Sequence, residues 1–148
     1  MNENVKVVKE LNSLLKGEYM AIEGYERFIQ NLEDEEIKTE LQRIQKDHKQ
    51  HAILIAERIQ NLGGRPVDGV GIMGEMAQAV DSIKNLPKQK DTRFILHDAY
   101  EGEQKGIQMA EEIAKGDLDK ESEDLIKKIL KEDRKHIKTL EKLLNQHH

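Results

Sequence analysis

Acids and histidines interrupt the apolar stripes of several predicted helices, at positions where a core residue belongs. Glu18 lies on a stripe of otherwise apolar residues that runs from Val8 to Leu32 in alternating steps of three and four. A second stripe, from Ile37 to Leu62, carries His48 and His51 three residues apart. Each of these positions belongs to the buried seam of an amphipathic helix.

The second half of the chain repeats the pattern. Asp133 and His136, again three apart, lie on a stripe from Ile126 to Leu143, and Glu101 interrupts the helix before it. A buried carboxylate costs several kcal/mol unless it is paired, protonated or bound to a cation. The clustering of acids and imidazoles therefore predicts a metal site inside a helical bundle.

The positions of the turns place these residues at matching depths. Helix one ends near Leu32 and helix two restarts after the N-cap candidate Asp34, while a second turn surrounds residue 117. Glu18 and His48 are equally far in sequence from residue 33, as are Glu101 and Asp133 from residue 117. Both members of an antiparallel helix pair rise about 1.5 Å per residue, so each hairpin brings its acid opposite a ligand pair.

Composition favours a single all-α domain spanning residues 1–148. The chain has 36% charged and 3% aromatic residues, two prolines and no Cys, which excludes disulfides and thiolate metal sites. A net charge of −5 with interspersed signs disfavours nucleic acid as a partner, and no apolar run is long enough to span a membrane. The N-terminus lacks the apolar stretch of a signal peptide, so we expect a cytoplasmic protein.

One long segment, between helix two and helix three, breaks the helical pattern. Gly63, Gly64 and Pro66 end helix two, and residues 75–86 predict a short helix before Pro87. A crossover of this length can return along a long helix, which allows helices two and three to run parallel. We expect helix three to span Thr92–Lys115, with a polar seam that carries Phe94, His97, Glu101, Gln104 and Gln108.

Two stretches of sequence resemble the bacterioferritins of the ferritin-like superfamily. Residues 11–22, LNSLLKGEYMAI, are similar to their first helix, and residues 129–137, ILKEDRKHI, to their fourth. The resemblance implies a ferritin-like four-helix bundle around two iron ions, with one Glu from each of two helices and a Glu-x-x-His pair from each of the others. By position it implies Glu18 and Glu101 as terminal carboxylates, His51 and His136 as imidazole ligands, and His48 and Asp133 at the bridging positions.

The sequence departs from the family pattern at helix two. A neutral imidazole has one free nitrogen for a metal, so His48 cannot bridge two ions as a carboxylate does. We therefore expect one or two iron ions in an asymmetric site, with manganese or zinc as alternatives that the ligand types also suit. Bacterioferritins place a haem-binding Met directly after the helix-two bridging acid, where this chain has Lys49. We expect no haem.

Four further residues are candidates for supporting roles. Tyr25 is interpreted as a packed tyrosine that hydrogen-bonds a ligand carboxylate. His97, one turn before Glu101, is either an extra ligand or a donor to one. Asp47 and Glu132 each precede a site residue and either orient a histidine across the bundle or lie on a solvated face.

Two functions follow from this reading. The first is Fe(II) binding and oxidation by dioxygen or peroxide, in iron detoxification or stress defence. The second is a non-catalytic bundle with a single structural metal or a relic site. A coiled-coil module is disfavoured because such seams admit one polar layer. With no fifth helix after residue 144, a homodimer is favoured over a 24-subunit cage.

Overall fold

The computed structural model describes residues 3–69 and 91–147. In these ranges the chain forms four helices: α1 (Glu3–Gln30), α2 (Glu35–Asn61), α3 (Thr92–Ala114) and α4 (Lys120–Gln146). No helix in these ranges is long and apolar enough to cross a membrane. The predicted all-α bundle is confirmed, while the short helix predicted within residues 75–86 lies outside the described residues.

Aspartate N-caps determine where three of the helices start. The side chains of Asp34, Asp91 and Asp119 accept hydrogen bonds from backbone N–H groups in the first turns of α2, α3 and α4. The predicted cap at Asp34 is confirmed. α1 ends two residues before the predicted Leu32, because the chain there turns tightly toward the start of α2.

Contacts between side chains define the directions of the helices. The first helix runs antiparallel to α2, where Glu18 meets His48 and Glu26 meets Gln45. It also runs antiparallel to α3, where Gly17 faces Met109 and Tyr25 meets Glu103. Two helices that are both antiparallel to α1 are parallel to each other, as the length of the crossover allows.

Two apolar clusters fill the bundle and leave a polar layer between them. One cluster includes Leu11, Leu15, Ile55 and Ile126, and the other includes Ile37, Leu41, Leu96 and Leu140. Burial of these stripes is the main favourable term that holds the helices together. The polar layer between the clusters contains the predicted site.

Candidate metal centre

The first half of the polar layer comes from α1 and α2. Glu18, His48 and His51 are all buried, because the stripes that carry them face each other in the antiparallel pair. His48 Nδ1 lies 2.7 Å from Glu18 Oε1, and His51 Nδ1 lies 3.5 Å from the same oxygen. The structure therefore brings together all three residues predicted from this hairpin.

The second half comes from α3 and α4. Asp133 and His136 lie on the inner face of α4, and the acid opposite them is Glu103. Glu103 Oε1 lies 3.1 Å from His136 Nδ1, and its Oε2 lies 2.7 Å from His48 Nε2. Tyr25 donates a hydrogen bond of 2.6 Å to the same Oε2, as expected of a tyrosine beside a ligand carboxylate.

The prediction that Glu101 lies on the buried seam of helix three is wrong. The side chain of Glu101 is 52% exposed and lies 3.5 Å from His97, whose side chain is 62% exposed. His97, Asp98 and Glu101 form a separate group on the surface of α3, so neither His97 nor Glu101 reaches the central layer. The residue that sequence reasoning missed is Glu103.

The error is one of helical phase. The buried face of α3 carries Ile95, Leu96, Ala99, Glu103, Ala110 and Ile113. Glu103 is four residues after Ala99 and seven before Ala110, which is the spacing of one helical face. The small apolar residues of this stripe were the signal available in the sequence, but a stripe through Phe94 and His97 matched the larger side chains.

His48 is the positive centre of the layer. Its two ring nitrogens face the carboxylates of Glu18 and Glu103, and an ionised carboxylate only accepts hydrogen bonds, so both nitrogens donate. Burial lowers the pKa of His48, but the hydrogen bonds and charges of Glu103 and Glu18 raise it well above its usual 6.5. In the metal-free protein His48 is therefore an imidazolium that links Glu18 to Glu103.

The pKa values of the two buried glutamates shift downward, opposite to that of His48. Burial raises the pKa of Glu103, but hydrogen bonds from His136 and His48 and their charges lower it to about 2. Burial also raises the pKa of Glu18, but the hydrogen bond from His48 and the positive charges of His48 and His51 outweigh it and lower that pKa. Burial dominates at Asp133 and raises its pKa. Ion pairing therefore keeps the two glutamates charged, while Asp133 is the least compensated acid.

Two outer acids orient the ligand histidines across the bundle. His51 Nε2 lies 2.7 Å from Glu132 Oε1, and His136 Nε2 lies 2.8 Å from Asp47 Oδ2. At His51 this contact leaves the Nδ1 lone pair for a metal, whereas His136 also donates from Nδ1 to Glu103 and would have to lose that proton before it could bind an ion. Of the two interpretations of Asp47 and Glu132, the orienting contact is the one the structure contains.

Two buried polar atoms of the layer have no hydrogen-bond partner among the described residues. They are His51 Nδ1 and Asp133 Oδ1, which lie 3.9 Å apart. Buried polar atoms are rarely left unsatisfied, because the loss of hydration costs about 1–3 kcal/mol. A cation bound between these two atoms would satisfy both, so the donor set fits a metal ion.

The layer contains two sets of candidate ligand atoms that share His48. One set comprises Glu18, His48 and His51; the other comprises His48, Glu103, Asp133 and His136; the atoms of each set lie within 4.8 Å of one another. Carboxylate oxygens and imidazole nitrogens together suit Fe(II), Mn(II) and Zn(II). The layer therefore offers two adjoining groups of candidate ligands, with the imidazole of His48 common to both.

Solved structures with the same fold include several ferritin-like proteins. A ferritin-like domain occurs in a two-domain protein of Anabaena variabilis that also contains a DJ-1/ThiJ/PfpI-like domain; the alignment has a TM-score of 0.81 at 20% identity over 99% of this chain and 41% of that one. The chain thus spans less than half of that protein. At these levels of identity the likeness establishes the fold, a ferritin-like four-helix bundle.

Two other solved structures are covered more fully by the alignment. The dodecameric thioferritin of Bacteroides fragilis, a bacterioferritin-related protein, aligns at a TM-score of 0.80 and 24% identity over 97% of this chain and 87% of that one. The bacterioferritin of Desulfovibrio desulfuricans, which has a diiron site, aligns at 0.77 and 23% over 96% and 80%. A family model described as "Domain of unknown function (DUF2383)" matches residues 6–116. No curated protein matches the chain.

Proposed function

The chain belongs to the DUF2383 family, and we propose that this ferritin-like bundle binds Fe(II) in its carboxylate and histidine layer and oxidises it with dioxygen or peroxide. Iron is here the substrate. Each Fe(II) loses one electron to the oxidant, which takes up electrons and protons to give peroxide or water. The carboxylates of the layer favour this reaction because they stabilise the greater positive charge of Fe(III).

The observation that carries the proposal is the pair of unpartnered atoms, His51 Nδ1 and Asp133 Oδ1. Together with Glu18 they offer the first ion one nitrogen and two carboxylate groups. His51 is held ready for this role by its hydrogen bond to Glu132. We therefore assign the tighter metal position to Glu18, His51 and Asp133.

The second position would be formed by Glu103, His136 and Asp133, and it would be weaker. Both oxygens of Glu103 already accept hydrogen bonds, from His136 on one side and from His48 and Tyr25 on the other. A second ion must displace these protons before it can bind. We expect the metal content to lie between one and two ions per chain for this reason.

Anaerobic titration of the chelator-treated protein with Fe(II), followed by admission of air, tests the proposal. We expect saturable binding, then oxygen consumption with a rise in ferric absorbance. Asp133→Asn should weaken the binding, and Asp117→Asn, in an exposed turn, is the matched control. No binding above that of Asp133→Asn would overturn the proposal.

A non-catalytic bundle with a single structural ion is the second candidate, and the two hydrogen bonds of His48 favour it. A fixed imidazolium between the two positions leaves room for one ion. The carboxylate and imidazole ligands suit iron, manganese and zinc in that position. Tight binding of one ion with no oxygen consumption would identify this function. Anomalous scattering at the three metal edges would identify the metal.

Three further proposals concern the number of subunits, the absence of haem and the location of the protein in the cell. We propose a homodimer, although the thioferritin of the same fold is a dodecamer. Light scattering on the purified protein measures the number of subunits.

The expectation that the chain binds no haem rests on Lys49, which is exposed on α2. A Soret band that scales with protein concentration would contradict it. We likewise propose a cytoplasmic location.

A further inference from the structure

A cavity of about 290 Å³ lies between α1 and α3 and reaches the polar layer. Its floor carries three acids, Glu18, Glu103 and Asp133, and the imidazole of His48 that pairs with the first two, and Lys105 and Asp98 also line the cavity. The remaining wall is mainly apolar, and includes Leu14, Met20, Phe28 and Met109. The cavity thus joins an apolar wall to an acidic floor.

Glycines keep this space open. A Cβ built on Gly24, Gly102 or Gly106, all of which line the cavity, would meet no atom within 4 Å. At Gly17 a Cβ would lie 3.4 Å from Met109 Sδ, so the helices approach each other there. Protein interiors are normally packed to the density of organic crystals, and a space of this size within a bundle is therefore a candidate binding site.

A second observation points to a ligand. Asp133, at the floor, is 3% exposed, and its Oδ1 has no hydrogen-bond partner among the described residues. Beside the cavity, Met20 and Met109 are 51% and 40% exposed, although both are apolar. The cavity therefore connects exposed thioether side chains to a buried acid that lacks a donor.

We propose that this cavity binds a small, uncharged and mainly apolar molecule that ends in a hydroxyl group. An apolar cavity of about 150 Å³ takes benzene, so nearly twice that volume suits a molecule of roughly twelve non-hydrogen atoms. The hydroxyl would supply a donor at the acidic floor. A carboxylate in its place could not donate to Asp133 Oδ1, and it would add a negative charge beside the one acid of the floor that His48 does not pair. This site goes beyond iron chemistry, since aliphatic and aromatic wall residues offer no ligand to a metal ion.

Calorimetric titration of the chelator-treated full chain with 2-naphthol tests the proposal. The matched probe is 2-naphthoate, which has the same rings but carries a negative charge. We expect 2-naphthol to bind at least tenfold more tightly than 2-naphthoate, a difference of about 1.4 kcal/mol. Equal or tighter binding of 2-naphthoate, or no binding of 2-naphthol at millimolar concentration, would overturn the proposal.

Variants locate the binding in the cavity. Gly106→Leu places a side chain in the open space and should weaken 2-naphthol binding at least tenfold. Gln108→Leu adds the same side chain at an exposed position of α3 and should leave binding unchanged. Gly102→Leu is a second filling variant should Gly106→Leu fail to fold, which circular dichroism reports. Equal binding by a folded filling variant and Gln108→Leu would place the probe elsewhere and overturn the inference.

Fe(II) titration of the same proteins separates this inference from the proposed function. If the chain binds Fe(II) but not 2-naphthol, the proposed metal site stands and the proposed cavity ligand is overturned. If the chain binds 2-naphthol but not Fe(II), the proposed cavity ligand stands and the proposed metal site is overturned.

Discussion

Glu101 and Glu103 lie two positions apart on α3 in opposite environments. Glu103 is 4% exposed and contacts Tyr25, His48 and His136, whereas the side chain of Glu101 is 52% exposed. The two residues therefore form an internal comparison in which the amino acid and the helix are the same. Only the side of the helix differs.

We predict that Glu103→Gln lowers affinity for the more weakly bound metal ion at least tenfold, because an amide oxygen carries no charge to balance the cation. Glu101→Gln, the control, should change affinity by less than about twofold, as expected of a change at a solvated surface. Competition titration with a metal-sensitive dye measures both. Equal losses in the two variants would contradict the assignment of Glu103 to the site.

His48 decides how many ions the layer holds. We predict that His48→Glu strengthens binding of the second Fe(II) by about tenfold, or about 1.4 kcal/mol, because it removes a buried cation and supplies a carboxylate at the position between the ions. The metal-free variant should be less stable, since four acids then share one layer. His48→Gln removes the cation without adding charge and is the control. Unchanged stoichiometry in His48→Glu would show that position 48 does not lie between the two metal positions.

At the scale of the helices, Arg58 ties the end of α2 to the start of α4. Its guanidinium donates to Asp119 at 2.8 Å, to Glu121 at 2.6 Å and to Ser122 at 3.1 Å. Asp119 also accepts a hydrogen bond from the backbone N–H of Ser122 as the N-cap of α4. One carboxylate therefore caps a helix and joins two elements.

We predict that Asp119→Ala lowers the free energy of unfolding by about 1–2 kcal/mol, the usual cost of a lost N-cap. Asp117→Ala, in the same turn but exposed and outside the cap, should change it by less than about 0.5 kcal/mol. Urea unfolding followed by circular dichroism measures both. If Asp117→Ala proved as costly as Asp119→Ala, the loss would belong to the turn and not to the cap.

For the molecule as a whole, the polar layer makes stability depend on pH. Glu103, with its pKa lowered from 4.5 to about 2, contributes fully above about pH 4.5, and this contribution is lost as pH falls toward 2. His136 has its pKa raised from 6.5 to about 10, so its contribution is complete below about pH 6.5 and is lost as pH rises toward 10. The metal-free protein should therefore be most stable between these two limits.

Urea unfolding of the chelator-treated protein across this pH range tests the prediction. We expect the free energy of unfolding to be highest between about pH 4.5 and about pH 6.5 and to fall on either side. His136→Gln should make the alkaline fall shallower, because one group with a raised pKa is removed. A stability that stays level above pH 6.5 would show that His136 titrates normally.

The four helices of the described residues and most of the candidate site could be predicted from the amino-acid sequence alone. The stripes of α1, α2 and α4 contain large aliphatic residues at regular spacing, so an acid or histidine on such a stripe has only one buried orientation available. Glu18, His48, His51, Asp133 and His136 are therefore buried in the polar layer, as predicted.

The face of α3 that is buried and the partners of His48 depend on the tertiary structure. The inner face of α3 carries the small residues Ala99 and Ala110 beside Glu103, so its buried stripe is marked by smaller side chains than the leucines and isoleucines of the other stripes. The burial of Glu103 depends on a hydrogen bond from Tyr25 and on ion pairs with His48 and His136, which lie on the three other helices. Because those interactions exist only after the bundle has assembled, no pattern within α3 specifies them.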